Sequence, residues 1–192
     1  MTLKEFFELA EQEVITQGFQ QEIDLVEKRT FNDQTSGDFF REYVYVVCNS
    51  GMKNKVAEKI FQDYMWKGIQ AIKHSLKRKA ILEAEKHFEE WFETLKVRVK
   101  HHRELEFLES LPHIGKITKY HLARNLGLDV AKPDRHLSRL ADHFGFSDAN
   151  HLCIGIYSLI EGRCRVGTID VILWRYCTLY RDYMGIIEKE SK

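Results

Sequence analysis

Asp134 lies in the segment Lys-Pro-Asp-Arg-His-Leu, after a proline and before an amphipathic helical pattern. An aspartate at a helix start caps the helix by accepting hydrogen bonds from its first N–H groups, and this position favours the charged carboxylate. Such an anchored carboxylate can also stabilise a developing positive charge or take a proton from water. The pattern therefore predicts a helix cap that is suited to chemistry passing through an oxocarbenium ion.

Upstream of Asp134, residues 111–116 (LPHIGK) predict a tight turn between two short helices. Proline fixes one backbone dihedral, and glycine permits a left-handed conformation or a close backbone approach. The first N–H groups of the next helix have no helical partner, so they are suited to bind a phosphate, with Lys116 and Lys119 adding charge. The alternative is a connector that only packs one helix against the next.

The rest of the chain predicts an all-α fold that carries these two features. Apolar residues recur at helical spacing over 2–17, 55–67, 76–99, 103–110, 134–144, 147–160 and 168–187. Residues 39–47 (FFREYVYVV) fit either a strand or a buried helix, and we favour a helix because no partner strand follows in the sequence. The patterns predict roughly nine to eleven helices and no internal repeat.

The charge and cysteine content set limits on the class of protein. The formal net charge is zero, which counts mildly against nucleic-acid binding, although a local basic face is sufficient for it. Basic residues cluster at 96–103, 116–124 and 132–139, and each cluster taken alone also fits a solvated surface. Cys48, Cys153, Cys164 and Cys177 have no metal-binding spacing, which is typical of reduced thiols in a cytosolic protein.

Two further patterns argue against secretion and membrane insertion. The N-terminal segment is amphipathic and acidic, unlike a signal peptide. The longest apolar run, residues 43–48, is too short to span a bilayer.

Residues 111–118 (LPHIGKIT) and 132–139 (KPDRHLSR) together resemble the helix-hairpin-helix DNA glycosylase superfamily. There a Leu-Pro-Gly-[Ile/Val]-Gly-x-x-Thr hairpin precedes an aspartate in a [Val/Pro]-Asp-x-His-[Leu/Val]-x-Arg context. The resemblance covers residues 105–140 closely, and the combination is more specific than either half. It implies Asp134 as the catalytic carboxylate and a DNA-backbone site formed by His113, Gly115, Lys116, Ile117, Thr118, Lys119 and Arg135.

Three departures from the family pattern refine this expectation. Family members with lyase activity carry a nucleophilic lysine where this chain has Ile117, which favours a hydrolytic glycosylase, with Lys116 and Lys119 near enough to keep a lyase as an alternative. His113 replaces the first hairpin glycine, which counts against the monovalent cation that some members hold at the hairpin backbone. The four-cysteine pattern of the iron–sulfur branch is also missing.

A weaker similarity to the same superfamily extends to the segments that would enter the duplex and contact the flipped base. Residues 46–60 lie where the family has a loop that wedges into the duplex when the base is flipped, so Asn49, Met52 and Lys53 are candidates to fill the gap; the alternative is an ordinary polar loop. Residues 75–88 resemble the following helix, which has a basic start. Residues 168–174 resemble the helix lining the base pocket, which makes Trp174, Asp170 and Tyr176 candidates, although the aromatic residues equally fit a core. His136 matches the Asp-x-His pattern, with an expected structural role.

The sequence thus predicts a two-lobed, all-helical DNA glycosylase with its active-site cleft between the lobes. We expect residues 42–140 to form the central lobe and residues 1–41 with 141–192 to form the second. The expected partner is double-stranded DNA with a damaged or modified base, bound by a cytoplasmic, nucleoid-associated monomer. We expect no cofactor, with a monovalent cation at the hairpin backbone as the alternative. The alternatives are a glycosylase/lyase using a nearby lysine, a DNA-binding module without catalysis, and a protein-interaction domain.

Overall fold

The computed structural model describes residues 1–189, which form eleven α-helices and two short 3-10 turns. The helices are α1 (Leu3–Thr16), α2 (Gln20–Lys28), α3 (Ser36–Asn49), α4 (Asn54–Lys67), α5 (Ser75–Lys100), α6 (Glu104–Ser110), α7 (Thr118–Asn125), α8 (Arg135–Phe144), α9 (Ala149–Leu159), α10 (Val166–Leu179) and α11 (Tyr183–Lys189). The 3-10 turns span Phe31–Asp33 and Gly68–Ala71. The described part of the chain contains no strand, so the all-α prediction is confirmed.

The chain divides into two compact units. One, which we call the hairpin unit, contains residues 30–127, and the other, the terminal unit, contains residues 1–29 and 128–192. These boundaries differ from the expected 42 and 140. Residues 30–41 belong with the hairpin unit because they lead into α3, and residues 128–140 belong with the terminal unit because α8 packs against α9 and α10.

Helix α3 resolves the ambiguous segment 39–47 as a helix. Thr35 and Asp38 form a reciprocal capping box at its start, which sets the helical conformation despite the β-branched and aromatic residues that follow. One face of α3 is fully buried and packs against α4 and α5; it contains Phe39, Tyr43, Val44, Val46, Val47 and Cys48. In the hairpin unit, α6 and α7 pack against each other and against α5 and α3 respectively.

The terminal unit encloses its own core between α1, α2, α8, α9 and α10. The expected single helix over 168–187 is wrong, because it is broken between Leu179 and Tyr183. Tyr180 leaves the helical conformation, with a ψ of 93°, and its hydroxyl donates a hydrogen bond to Glu13 of α1. Tyr180 thus bonds to a residue 167 positions away in the sequence at the point where the helix ends.

No helix in the described part of the chain combines the length and the apolar composition that a membrane span requires.

Candidate functional site

The turn between α6 and α7, residues 111–117, is held in place by buried side chains and by a hydrogen bond from α3. Leu111 and Ile114 are buried at 5% and 6% exposure. The hydroxyl of Tyr43 on α3 donates a 2.6 Å hydrogen bond to the carbonyl oxygen of Pro112. The apolar anchors and this bond fix the proline side of the turn, so the residues that follow are presented from a rigid base.

The glycine side of the turn leaves backbone donors free. The N–H of Gly115, expected among the phosphate donors, instead donates to Thr118 Oγ1 at 2.7 Å. No side chain caps α7, and no hydrogen bond within residues 1–189 uses the N–H groups of Lys116, Ile117 or Thr118. Three successive uncapped amides at a helix start are the arrangement that binds phosphate.

His113 holds the left-handed conformation that a glycine would otherwise supply. Its φ is +62°, a conformation that few non-glycine residues adopt and that histidine tolerates better than most. Its ring lies 6.1 Å from the His74 ring, measured between centroids. Burial, together with the positive charge of Lys77 and the neighbouring His74, lowers the pKa of His113, so the neutral ring is favoured.

The two hairpin lysines differ in availability. Lys119 forms an ion pair with Glu109, lies over the Tyr120 ring and keeps only 17% of its side chain exposed. Lys116 is exposed and makes no ion pair within the described residues, and its neighbour Ile117 is 52% exposed. Of the two lysines expected to add charge for DNA, Lys116 is therefore the one that remains available.

The two oxygens of the Asp134 carboxylate differ in their hydrogen bonding. Oδ1 accepts hydrogen bonds from the N–H groups of His136 (2.8 Å) and Leu137 (3.0 Å), so the expected helix cap is confirmed. Oδ2 has no hydrogen-bond partner among residues 1–189, and the residue is only partly buried. One oxygen is therefore fixed by the helix, and the other is open to a reacting group.

The loop that delivers Asp134 is held through its backbone by two helices of the terminal unit. The N–H of Ala131 donates to Asn150 Oδ1 of α9 at 3.0 Å, and the N–H of Lys132 donates to Asp170 Oδ2 of α10 at 2.8 Å. Asp170, expected in the base pocket, is 1% exposed and serves as this anchor. Sequence reasoning missed Asn150, because no local pattern links it to residue 131.

The side chains around Asp134 are largely buried. Tyr183 is 2% exposed, and its hydroxyl lies 3.2 Å from His136 Nδ1, which supports the structural role expected for His136. Burial and the Asp134 charge raise the pKa of Cys177 to about 12, which keeps this buried thiol neutral. Arg135, the neighbouring DNA-contact candidate, is exposed.

The aromatic pocket candidates lie in different environments. Tyr176 is 2% exposed and contacts Phe6 and Tyr180 with ring centroids 5.5 and 4.8 Å away, which places it in the core. Trp174 is partly buried, with the Arg175 guanidinium 4.9 Å from its ring centroid. Trp174 is therefore the aromatic pocket candidate that is not fully buried.

The candidate wedge loop, residues 50–53, joins α3 to α4. Met52 is 42% exposed and Lys53 is exposed, whereas Asn49 is tied to Asn54 by a 2.7 Å hydrogen bond. The ammonium of Lys77, which is 6% exposed, donates to the carbonyls of Cys48 (3.0 Å) and Ser50 (2.7 Å). This second anchor was not predicted, because Lys77 lies 27 and 29 residues away along the chain.

The neutral net charge conceals two units of opposite sign. The hairpin unit contains 17 Lys and Arg residues against 13 Asp and Glu, a net charge of +4, and the terminal unit has 12 against 16, a net charge of −4. The unit with the free hairpin amides is thus the basic one. Within residues 1–189, no three His, Cys, Asp or Glu side chains are grouped to hold a metal ion.

The chain is similar in structure to the 8-oxoguanine glycosylase/lyase of Methanocaldococcus jannaschii, whose crystal structure contains a 15mer DNA with 8-oxoguanine. The TM-score is 0.67, the similarity covers 94% of this chain and 99% of that chain, and 20% of the residues are identical. The chain has the fold of a helix-hairpin-helix DNA glycosylase. No protein-family model matches it, and no curated protein is significantly similar in sequence.

Within this glycosylase fold, the helix-hairpin-helix comprises α6, residues 111–117 and α7, and Asp134 follows it at the start of α8. The two features that the sequence singled out therefore occur in one known architecture and in the expected order.

Proposed function

We propose that the chain is a DNA glycosylase that hydrolyses the bond between deoxyribose and a damaged or modified base flipped out of duplex DNA. The observation that carries this proposal is the divided carboxylate of Asp134, with Oδ1 fixed by two helix amides and Oδ2 without a partner in the described chain. A helix-hairpin-helix glycosylase fold and three free hairpin amides support it.

In the proposed reaction, the C1′–N bond breaks and its electron pair leaves with the base. The sugar becomes oxocarbenium-like, and Asp134 Oδ2 stabilises its positive charge. A water molecule then adds to C1′ and loses a proton, and the departing base gains one. The amides of residues 116–118, with Lys116, hold a phosphate of the DNA strand, and Met52 and Lys53 fill the space left by the extruded base.

Hydrolysis without strand cleavage is the form of the reaction that the residues favour. The position that carries a nucleophilic lysine in lyase-competent members of the resembled family is Ile117, which has no amine. The second candidate is a glycosylase/lyase, because the similar archaeal protein is named as one. That activity would need another amine to attack C1′, and Lys116 is the exposed amine in the hairpin.

The test is a panel of duplexes with oxidised, alkylated, mismatched or hypermodified bases, treated with alkali to cleave abasic sites. DNA containing 8-oxoguanine is the first substrate to try, because the similar structure holds it. We expect Asp134→Asn to lower excision by at least about 10³-fold while DNA affinity changes little, since the charge stabilising the transition state is lost. Asparagine caps helices as well as aspartate does, so α8 should remain folded.

Asp148→Asn is the matched control, because Asp148 also caps a helix, accepting the N–H of His151 at 2.9 Å at the start of α9. It should leave excision unchanged. Undiminished excision by Asp134→Asn would refute the catalytic role, and salt-sensitive DNA binding without excision of any base would favour a non-catalytic hairpin module. Strand cleavage without alkali, with trapping by borohydride, would identify the lyase.

A further inference from the structure

A basic groove runs along the first half of α5, on the hairpin unit. It has a volume of about 570 Å³, and four cationic side chains line it, against one carboxylate from Glu83. The cations are Lys73, Arg78, Lys79 and Lys86. We call this feature the α5 groove.

The cations of the α5 groove are unpaired, unlike many others in the same unit. Lys67, Lys96 and Arg103 form ion pairs with Asp63, Glu93 and Glu106 at 2.7, 2.7 and 2.9 Å. Within residues 1–189, the four groove cations form no ion pair; Arg78 donates through Nε to the carbonyl of Ile72, which leaves its terminal nitrogens free. The charge of the groove is therefore available to a ligand from outside.

One end of the α5 groove lies near the hairpin turn. His74, the N-cap of α5, stands between Lys73 and Ser75 of the groove, and its ring lies 6.1 Å from that of His113 in the turn. The His74 Nδ1 accepts the N–H of Lys77, so a neutral His74 ring would carry its proton on Nε2.

The dimensions of this surface fit a repeating anion. Residues 75–86 of α5 extend over roughly 16 Å at 1.5 Å per residue. That length equals the rise of about five base pairs of B-form DNA, each with one phosphate per strand. A single small anion would need only one or two of the four cations, whereas a DNA backbone would use them in succession.

We propose that the α5 groove binds the sugar–phosphate backbone of DNA beyond the phosphate held by the hairpin amides. The proposal rests on the proposed function for its ligand, but it concerns binding and not excision. Because phosphate contacts carry no sequence information, the groove contributes equally to damaged and undamaged DNA.

The test measures the affinity of the full chain for an undamaged duplex about 25 base pairs long over a range of salt concentrations. The groove variant is Lys73→Gln/Lys79→Gln/Lys86→Gln, which leaves Arg78 and its bond to Ile72 intact. The control is Lys67→Gln/Lys96→Gln/Arg103→Gln, which removes the same number of charges from paired, exposed positions of the same unit.

We expect the groove variant to flatten the slope of log affinity against log salt by about 2–3, since each lost phosphate contact removes about 0.9. The control should change the slope by less than about 1. Equal slopes for the two variants would overturn the groove proposal and leave the proposed function standing. If the groove variant flattens the slope as expected but the wild type excises no base from any duplex, the groove proposal stands and the proposed function is overturned. Absence of salt-sensitive binding by the wild type would overturn both.

Discussion

The hairpin turn and the loop before α8 differ in which polar groups are left without a hydrogen-bond partner in the described chain. In the hairpin, buried Leu111 and Ile114 fix the turn, and the backbone N–H groups of residues 116–118 are left without acceptors in the described chain. In the loop, side chains accept the backbone N–H groups of Ala131 and Lys132, and the unsatisfied atom is a carboxylate oxygen. The first arrangement suits binding of an anion, and the second suits stabilisation of a cation.

The charges of the two units follow the same division. The hairpin unit, at +4, is suited to attract a polyanion, whereas the terminal unit, at −4, contains the carboxylate of Asp134. A neutral chain can therefore bind DNA, because affinity depends on the local distribution of charge. We therefore expect mutations in the hairpin unit to change DNA binding and mutations near Asp134 to change excision.

The largest expected effect that sharpens this comparison concerns Asp170. Asp170→Ala removes the acceptor of the Lys132 N–H, so the loop before Asp134 loosens. Since a displacement of about 1 Å in a catalytic group can lower a rate by about 10²-fold, we expect excision to fall by about that factor and DNA affinity to stay within about twofold. Single-turnover excision and binding assays measure the two quantities separately.

Asp170→Asn is the matched variant, because its amide oxygen can still accept the Lys132 N–H. It should retain most of the activity, and amide hydrogen exchange at Lys132 should speed up in the alanine variant alone. If both variants instead altered which base is released, Asp170 would contact the base, as the sequence had suggested, and the anchoring role would be wrong.

A smaller effect is expected in the hairpin from Gly115→Ala. Gly115 has no left-handed φ, and a Cβ at this position would meet only Thr118 Oγ1, 4.0 Å away. The folded protein should therefore accept alanine and gain about 0.4–1 kcal/mol. If a phosphate approaches the backbone here, the methyl group should weaken DNA binding by about 10-fold, since it obstructs the hydrogen bonds that hold the phosphate.

Gly37→Ala, near the start of α3, provides the control for this variant. A Cβ there meets only Thr35 Oγ1, at 3.7 Å, so it should stabilise the protein without changing DNA affinity. Thermal unfolding and duplex titration of both variants distinguish a hairpin that only connects two helices from a hairpin that binds DNA. A hairpin that only packs α6 against α7 would lose no affinity when Gly115 becomes alanine.

The features that the sequence predicted correctly are those set by neighbouring residues. The hairpin helices, the cap by Asp134 and the end of α8 at left-handed Gly145 depend on contacts within a few residues. The helix over 39–47 was predicted on other grounds, the lack of a partner strand, and the structure adds a local capping box formed by Thr35 and Asp38.

The features that the sequence could not supply depend on distant partners. Asp170 accepts the Lys132 N–H from 38 residues away, and Tyr180, at the break in the predicted last helix, bonds to Glu13 from 167 residues away. The availability of charge is decided in the same way, because Lys119 is neutralised by Glu109, whereas the cations of the α5 groove form no ion pair within residues 1–189. The spacing of residues along the chain does not indicate which charged side chains will form ion pairs after folding.

The smallest expected effect tests the conformation of the hairpin itself. A left-handed conformation costs a non-glycine residue about 1–2 kcal/mol, part of which His113→Gly should recover, less the greater chain entropy of glycine when unfolded. We expect a net gain of about 0.5–1 kcal/mol and a melting temperature about 1–4 °C higher.

This gain should grow as the pH falls. Burial, Lys77 and His74 lower the pKa of His113 in the folded protein, so the unfolded chain binds the proton more readily, and the wild type loses stability as the pH falls below about 6.5. His113→Asn is the control, because asparagine also tolerates the left-handed conformation but does not titrate. Relative to wild type, both variants should gain stability between pH 7.5 and 5.5. Parallel pH profiles for wild type and His113→Asn would show that folding does not lower the pKa of His113.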